Sequence, residues 1–406
     1  MREGWRAVVI RDAAKLVRRS VFVRAGMAYP LLGMRWYGQG PFLRETVTAD
    51  TAKAKVYFQV RAGDFIYNRM FAWKGSFGVV PERFDGYYVS GEFPVFEMVP
   101  GSACAEYINL VMCRPVVWDQ ILRASTGSTA ISRNRWNETS FLEWELLLPP
   151  LAEQRRIVDL VDHIQDVGDR AEAEAGCARH LGNAIRATWF TDRLPIARPL
   201  RSVVEITNGR LRNPLNAVGP HMTRYMRTAN VQDGRLKFDE PMYMNFTPSE
   251  QARYALRSGD VLVTEGSGSR ASIGASCRWD GEIPGVVCFQ NHLLRLRPLA
   301  GSTLSPEFVY EWALWSHRTG RFAEIATGTN ILSLGVEHVA EMAIPVDEPE
   351  AVKAFVGDMR AIEEEERAAR DLAASAAGFR STLASALLSG GSAIPASYDR
   401  FLDGVA

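Results

Sequence analysis

"LLLPPLAEQRRIVDLVDHI", residues 146–164, changes character at its centre. An apolar run stops at Pro149 and Pro150, and a charged segment with Ile, Val and Leu at helical spacing follows. Proline cannot donate to a strand ladder but suits the first turn of a helix. Glu153, early in the segment, complements the positive end of that helix. The stretch predicts a strand that ends at the prolines and a long helix that starts in mid-chain.

That helix has a seam. Positions 157, 161, 164, 168, 171, 175, 178, 182, 185 and 189 read Ile, Val, Ile, Gly, Ala, Ala, Ala, Gly, Ile, Trp, in alternating steps of four and three. Positions 355, 359, 362, 366, 369, 373, 376, 380, 383 and 387 follow the same steps and read Phe, Met, Ile, Glu, Ala, Ala, Ala, Arg, Leu, Leu. A sustained period of 3.5 argues for a coiled coil. Large residues at both ends with small ones between fit two helices in close antiparallel contact. They would touch near residues 171–178 and 369–376, and each would be about 60 Å long at 1.5 Å per residue. Glu366 and Arg380 interrupt the second seam.

The chain also repeats itself. "VRAGDFIY" at 60–67 faces "LRSGDVLV" at 256–263, an offset of 196. "WRAVVI" at 5–10 matches "LRSVVEI" at 200–206, "STGSTAIS" at 125–132 matches "ATGTNILS" at 326–333, and "LLPP" at 147–150 matches "AIPV" at 343–346. Four matches in one order at nearly one offset make two copies of a single unit. Within each copy, about 150 residues of short apolar runs broken by turn residues precede the helix. "AKVYFQV", "DFIYNRM", "FGVVP" and "PVFEMV" read as strands in the first copy, and "DVLVTEG", "VVCFQ" and "HLLRLRP" in the second. The predicted fold class is α+β: two repeated domains, at 1–149 and 195–345, separated by two long antiparallel coiled-coil helices at 150–192 and 346–390, with a tail at 391–406.

Composition narrows the class. At 406 residues the chain exceeds one ordinary core, and 47% hydrophobic with 23% charged residues is typical of globular proteins. No segment approaches a membrane helix, and "MREGWRAVVIRDAAKLVRR" lacks the apolar centre of a signal peptide, so a cytoplasmic protein with no membrane partner is expected. Five cysteines without a CxxC pair read as reduced thiols. Net charge is zero but uneven: residues 1–150 hold 19 Lys/Arg against 14 Asp/Glu, and residues 346–406 hold 6 against 11.

Catalytic signatures are missing. The sequence contains no GxxxxGK[ST] phosphate loop, no GxGxxG after a strand and no HExxH, and its six histidines are scattered. "TEGSGS" at 264–269 has no lysine in place, and the prolines of "LPPL" lack the neighbours of an adenine methyltransferase site. A binding role fits better. "GMRWYGQG" at 33–40, "YNRMFAWKGSFG" at 67–78, "TRYMRTANVQDG" at 223–234, "TEGSGSR" at 264–270 and "CFQNHLLRLR" at 288–297 mix basic, amide and aromatic side chains in turn-rich stretches. Arg and Lys can meet phosphates or guanine, and Asn and Gln can read adenine. Taken singly, Trp36 and Trp73 are of a type that more often fills a core, and Asn291 of a type that more often bonds its own loop.

With these residues in view, the chain resembles the specificity (S) subunit of type I restriction-modification systems over nearly its whole length. "LPPLAEQRRIV" at 148–158 is similar to the family's entry into its first helix. "GDVLVTEG" at 259–266, "FQNHLLRLRP" at 289–298 and "TNILSLGVEHVAEMAIPV" at 329–346 are similar to its second recognition domain. The first domain keeps only the Gly-Asp start and the strand pattern, and "IPVDEPEAVKAFV" replaces the expected Pro-Pro and Glu-Gln at the second helix.

The resemblance implies a non-catalytic DNA-recognition subunit. Each domain would read one half of a bipartite, asymmetric target on double-stranded DNA, and the helices would space the domains and dock two methyltransferase subunits. Motor-nuclease subunits would join through these, and S-adenosylmethionine, ATP and Mg2+ would sit on the partners, leaving this chain without cofactor or metal. It places DNA-binding residues near the Gly-Asp strand and the Thr-Gly segment. The candidates are Arg35, Trp36, Tyr37, Asn68, Arg69, Lys74, Thr129 and Arg133 in the first copy. In the second they are Arg227, Asn230, Ser267, Ser269, Arg270, Asn291, Thr329 and Asn330. The alternatives are a recognition subunit of another phage-defence complex, or a stand-alone nuclease with a dispersed site.

Overall fold

A computed structural model describes residues 4–124, 135–238 and 241–402. The chain divides into two compact units, Met1–Arg170 with Leu372–Ala406, and Ala171–Asp371. The long helices span Leu151–Asp192 and Pro349–Leu388. The unit boundary cuts both of them, so each unit contains one mixed domain and half of each helix.

The seam is the buried face of both helices. In the first unit, Ile157 and Val161 at the start of one helix share a core with Leu387 and Leu388 at the end of the other, and with Trp5, Tyr107 and Trp136 of the domain. In the second unit the polarity reverses. Phe190 near the end of the first helix shares a core with Val352, Phe355 and Met359 near the start of the second, and with Phe308 and Trp312. Start meets end in each unit, so the pair is antiparallel, as the large residues at both ends of each seam and the small ones between them suggest. The small residues are placed as expected: a Cβ added at Gly168 would already lie at van der Waals contact, 3.5 Å, from that of Ala376, and Ala171, Ala175, Ala178, Ala369 and Ala376 are buried.

The entry motif has a clear local role. Gln154 is fully buried. Its amide nitrogen donates to the Pro149 carbonyl at 2.9 Å, and its oxygen accepts from the Cys104 N–H at 2.9 Å. A proline pair leaves a carbonyl without a helical partner, and the glutamine satisfies it while tying the helix start to the domain. Arg156 then pairs with Asp399 at 2.6 Å, and the Tyr398 hydroxyl donates to Asp159 at 2.7 Å, which draws the chain's last described segment onto the same helix.

The two domains share a four-stranded sheet and a closing strand pair. A four-stranded sheet runs in the order Ala14–Val17, Val95–Met98, Phe65–Tyr67, Phe77–Val79 in the first, and Val204–Asn208, Leu293–Pro298, Asp260–Thr264, Ser276–Trp279 in the second. A strand pair closes each domain, Arg6–Val9 with Glu145–Leu148 and Ala197–Pro199 with Ala343–Pro345. The strands expected from "DFIYNRM", "FGVVP", "PVFEMV", "DVLVTEG" and "HLLRLRP" are all present. The Gly-Asp pair repeats in detail. Gly63 and Gly259 have φ of +83° and +91°. The buried carboxylates of Asp64 and Asp260 each accept from the N–H three residues back, at 2.7 Å.

The second sheet of each domain differs. In the first domain it has five strands, in the order Ser20–Phe22, Val56–Gln59, Tyr88–Val89, Tyr29–Met34, Pro41–Val47. In the second it has three, Val287–Phe289, Met222–Met226 and Met242–Asn245, corresponding to the last three of the five. The parallel pairing recurs, Leu31 against Tyr88 and Tyr225 against Cys288. The two strands at Ser20–Phe22 and Val56–Gln59 therefore belong to the first domain alone.

Candidate nucleic-acid interface

In the first domain, two loops build one surface patch. The hairpin tip at 35–40 lies against the loop at 71–75, because the Tyr37 and Gly38 N–H groups donate to the Lys74 and Gly75 carbonyls at 2.7 and 2.8 Å. Tyr37 has φ of +58°, a left-handed conformation that a tyrosine holds only where the surroundings compel it. Gly75, at φ +70°, sits where a Cβ would fall 2.4 Å from the Trp118 ring, so no other residue fits there. The Lys74 ammonium lies 3.7 Å from the centre of the Trp36 ring, and the Arg35 guanidinium 4.9 Å from that of Phe42. Trp36 and Tyr37 are 40% and 61% exposed. Arg35, Trp36, Tyr37 and Lys74 thus form a cationic, aromatic surface, and Trp36 lies outside the core that its residue type favours.

Asn68 and Arg69 do not join it. Asn68 is buried, and its side-chain oxygen accepts from the Met70 N–H at 2.9 Å, which makes it a brace for the loop. Arg69 donates to both oxygens of Glu138 at 3.2 Å. Thr129 and Arg133 lie outside the described residues.

In the second domain, a short ladder joins the two predicted segments. Gly266 and Ser267 pair with Ser333 and Leu332, which sets the loop at 267–270 beside that at 327–331. Ser267 and Ser269 turn the first loop by accepting from the Ser269 and Ala271 N–H groups at 3.0 and 3.3 Å. Arg270, Thr329 and Asn330 are exposed, and Asn291 is half-buried in the adjoining turn, its N–H donating to the Arg210 carbonyl at 3.0 Å. One end of the domain therefore gathers Ser267, Ser269, Arg270, Asn291, Thr329 and Asn330. Arg227 and Asn230 make a separate turn. The buried Asn230 amide accepts from the Arg227 N–H at 2.9 Å and donates to the Lys237 carbonyl at 2.7 Å.

Glu265 organises this end, and no pattern in the sequence singled it out. Its N–H donates to the His292 carbonyl at 2.9 Å, its carbonyl accepts from Leu334 at 2.8 Å, and its carboxylate takes the Ser333 hydroxyl and lies 3.4 Å from His292 Nδ1. A single glutamate before a Gly/Ser run has no periodic signature; its importance lies in partners 27 and 68 residues away.

No protein-family profile matches the sequence, and no curated protein matches it. Solved structures do resemble it. A chain from work on complex assembly and conformational transition of the type I R-M system superposes with a TM-score of 0.59 at 16% identity, covering 95% of this chain and 98% of its own. The S subunit of a type I restriction-modification system from M. genitalium superposes with a TM-score of 0.56 at 11% identity, covering 95% and 96%. The HsdS subunit from Thermoanaerobacter tengcongensis matches at 16% identity with a TM-score of 0.47, covering 95% and 97%. Two mixed domains that share a four-stranded sheet, each packed on half of an antiparallel helix pair, and a likeness extending over 95% of the length lead to one conclusion: the chain has the fold of type I restriction-modification specificity subunits.

Proposed function

We propose that this chain recognises DNA for a type I restriction-modification complex, each domain reading one half of a bipartite target. The observation that carries the reading is the repeated framework with unlike loops. The four-stranded sheets and Gly-Asp turns match, whereas the exposed ends carry Arg35, Trp36, Tyr37 and Lys74 in one domain and Ser267, Ser269, Arg270, Thr329 and Asn330 in the other. A rigid scaffold with variable loops is how a binding protein changes specificity without refolding. Arginine, asparagine and serine can read base edges, and lysine can meet phosphates. Asn68, Arg69 and Asn230 act in this reading as braces for the loops. The long helices dock two methyltransferase subunits, which bring S-adenosylmethionine, and motor-nuclease subunits with ATP and Mg2+ join through these. The protein then works in the cytoplasm and has no chemistry of its own.

Methylome sequencing of a host with and without the gene tests this. A bipartite, asymmetric adenine-methylation motif should vanish with the gene. An unchanged methylome, or DNA cleavage by the purified chain with a divalent metal, would overturn the reading.

A further inference from the structure

The absence of two strands from the second domain leaves an opening. In the first domain, Val17 faces Val95 across the ladder, and both pack against Phe58 from one of the two additional strands. At the same register position of the second domain Thr207 faces Arg295, and two residues along Glu205 faces Arg297, where the first domain sets Lys15 opposite Glu97. Among the described residues no strand covers them there. Instead, the sheet face borders an open pocket of about 620 Å³, lined by Arg253, Arg257, Arg295 and Arg297 and by the carboxylate of Glu205, with Ile206 and Val336 as its apolar walls.

The charge in this pocket is unbalanced. Arg297 donates to both oxygens of Asp260, at 2.6 and 2.7 Å. Arg295 is 2% exposed. It donates to Glu205 at 2.7 Å, to Thr207 at 3.1 Å and to the carbonyls of Arg253 and Ala255 at 3.0 and 3.4 Å. Its buried Nε–H has no acceptor. Burial and the neighbouring Arg297 pull the Arg295 guanidinium below its usual pKa. Among the described residues no carboxylate pairs with Arg253 or Arg257, both exposed at the rim. Four guanidinium groups thus face two carboxylates. A buried donor without an acceptor is costly, and the first domain avoids that cost with valines.

We propose that the pocket binds a phosphate group. A dianion with several acceptor oxygens suits forked guanidinium donors better than a single carboxylate does. Rim arginines capture it, and the fixed Arg295 and Arg297 form the floor. The group can come from a free phosphorylated small molecule or from a DNA backbone, and the two sources are separable. The backbone source rests on the DNA-recognition reading above, whereas the pyrophosphate arm, which contains no DNA, tests the pocket apart from it.

The full chain and the variant R253A/R257A are titrated with inorganic pyrophosphate by calorimetry, and then with a non-target duplex over a range of salt. Both replaced residues are exposed, and thermal melts check that the variant folds; R257E, a single exposed change, is the second variant. Pyrophosphate binding weakened at least tenfold in both variants supports a free phosphorylated ligand. If pyrophosphate does not bind but the slope of log K against log salt for the duplex falls by roughly one to two, the phosphate is the backbone's. Equal pyrophosphate affinity in wild type and variants, or no pyrophosphate binding together with an unchanged slope, overturns the proposal.

Discussion

Arg19 donates to both oxygens of the buried Asp64, at 2.6 and 3.1 Å, from the link that leads into Ser20–Phe22, a strand found in the first domain alone. There the matching Asp260 is held by Arg297. The reason is a charge exchange across the ladder. Lys15 faces Glu97 in the first domain, and Glu205 faces Arg297 in the second. With a glutamate at the position where the second domain has its arginine, Asp64 needs a cation from elsewhere, and Arg19 reaches in. The pairing of a buried carboxylate is kept while the residue that supplies it moves.

This relationship predicts the cost of removing either carboxylate. D260A leaves Arg297 without its partner in a largely buried setting and should lower stability by about 3 kcal/mol. R297A should cost a similar amount and the double variant much less than the sum. Urea denaturation of the three variants provides the test, and additive losses would show that the two groups do not act as a pair.

Gln154 offers a second case. Q154A removes both partners of the Pro149 carbonyl and Cys104 N–H contacts. Two backbone groups at the buried helix start should then lack acceptor or donor, at a cost of roughly 1–3 kcal/mol. Hydrogen exchange should quicken around residues 104 and 154 while the second unit keeps its protection.

The small residues of the seam should respond according to the space around them. G168A should stabilise by about 0.5–1 kcal/mol, because a Cβ there meets Ala376 at ordinary contact and glycine is a poor helix former. A175L, at a fully buried position, should destabilise by about 1–3 kcal/mol through overpacking. Thermal melts that rank the two variants the other way would refute close packing at the seam.

A buried polar cluster in the second unit predicts a pH effect. Arg186 of the first long helix pairs with Glu311 and, at 3.0 Å, with Glu363. Burial, with the nearby Glu311, pushes the Glu363 carboxyl up to about 7, although Arg186, Arg278 and Arg318 oppose the shift. The folded chain then retains a proton that the unfolded chain releases above the ordinary value of 4.5. Stability should therefore fall as pH rises from about 4.5 to 7. E363Q, which stays neutral, should flatten that fall, and a pH series of melts for both proteins shows whether it does.

For the proposed DNA contacts, the two domains should separate cleanly. N330A should relax one base position in one half-site, with a loss of about 1–3 kcal/mol, and leave the other half intact. K74A should weaken binding to all sequences alike and lower the salt dependence. Binding selections on randomised duplexes distinguish these outcomes, and a change in both half-sites from N330A would show that the domains do not read independently.

The sequence by itself determined the duplicated plan and the helices. Period and offset are properties of order along the chain, so the 3.5-residue seam and the Gly-Asp repeat are legible without coordinates. Several loop candidates were legible too, because Trp36, Lys74 and Arg270 are conspicuous in turn-rich segments. Only the tertiary structure decided which of them share a surface. Asn68 and Asn230 look like base readers in a list of residues, yet backbone groups two to seven positions away occupy their amides. Glu265, the hub of one end, acquires its role from partners distant in sequence. The exchange of Lys15 and Glu97 for Glu205 and Arg297, and the arginine pocket left where two strands are missing, depend on ladder register. Alternation along a strand fixes which side chains share a face, but these partners lie about 80 to 90 residues apart with no tight turn between them, so which residue stands opposite is decided only when the sheet assembles.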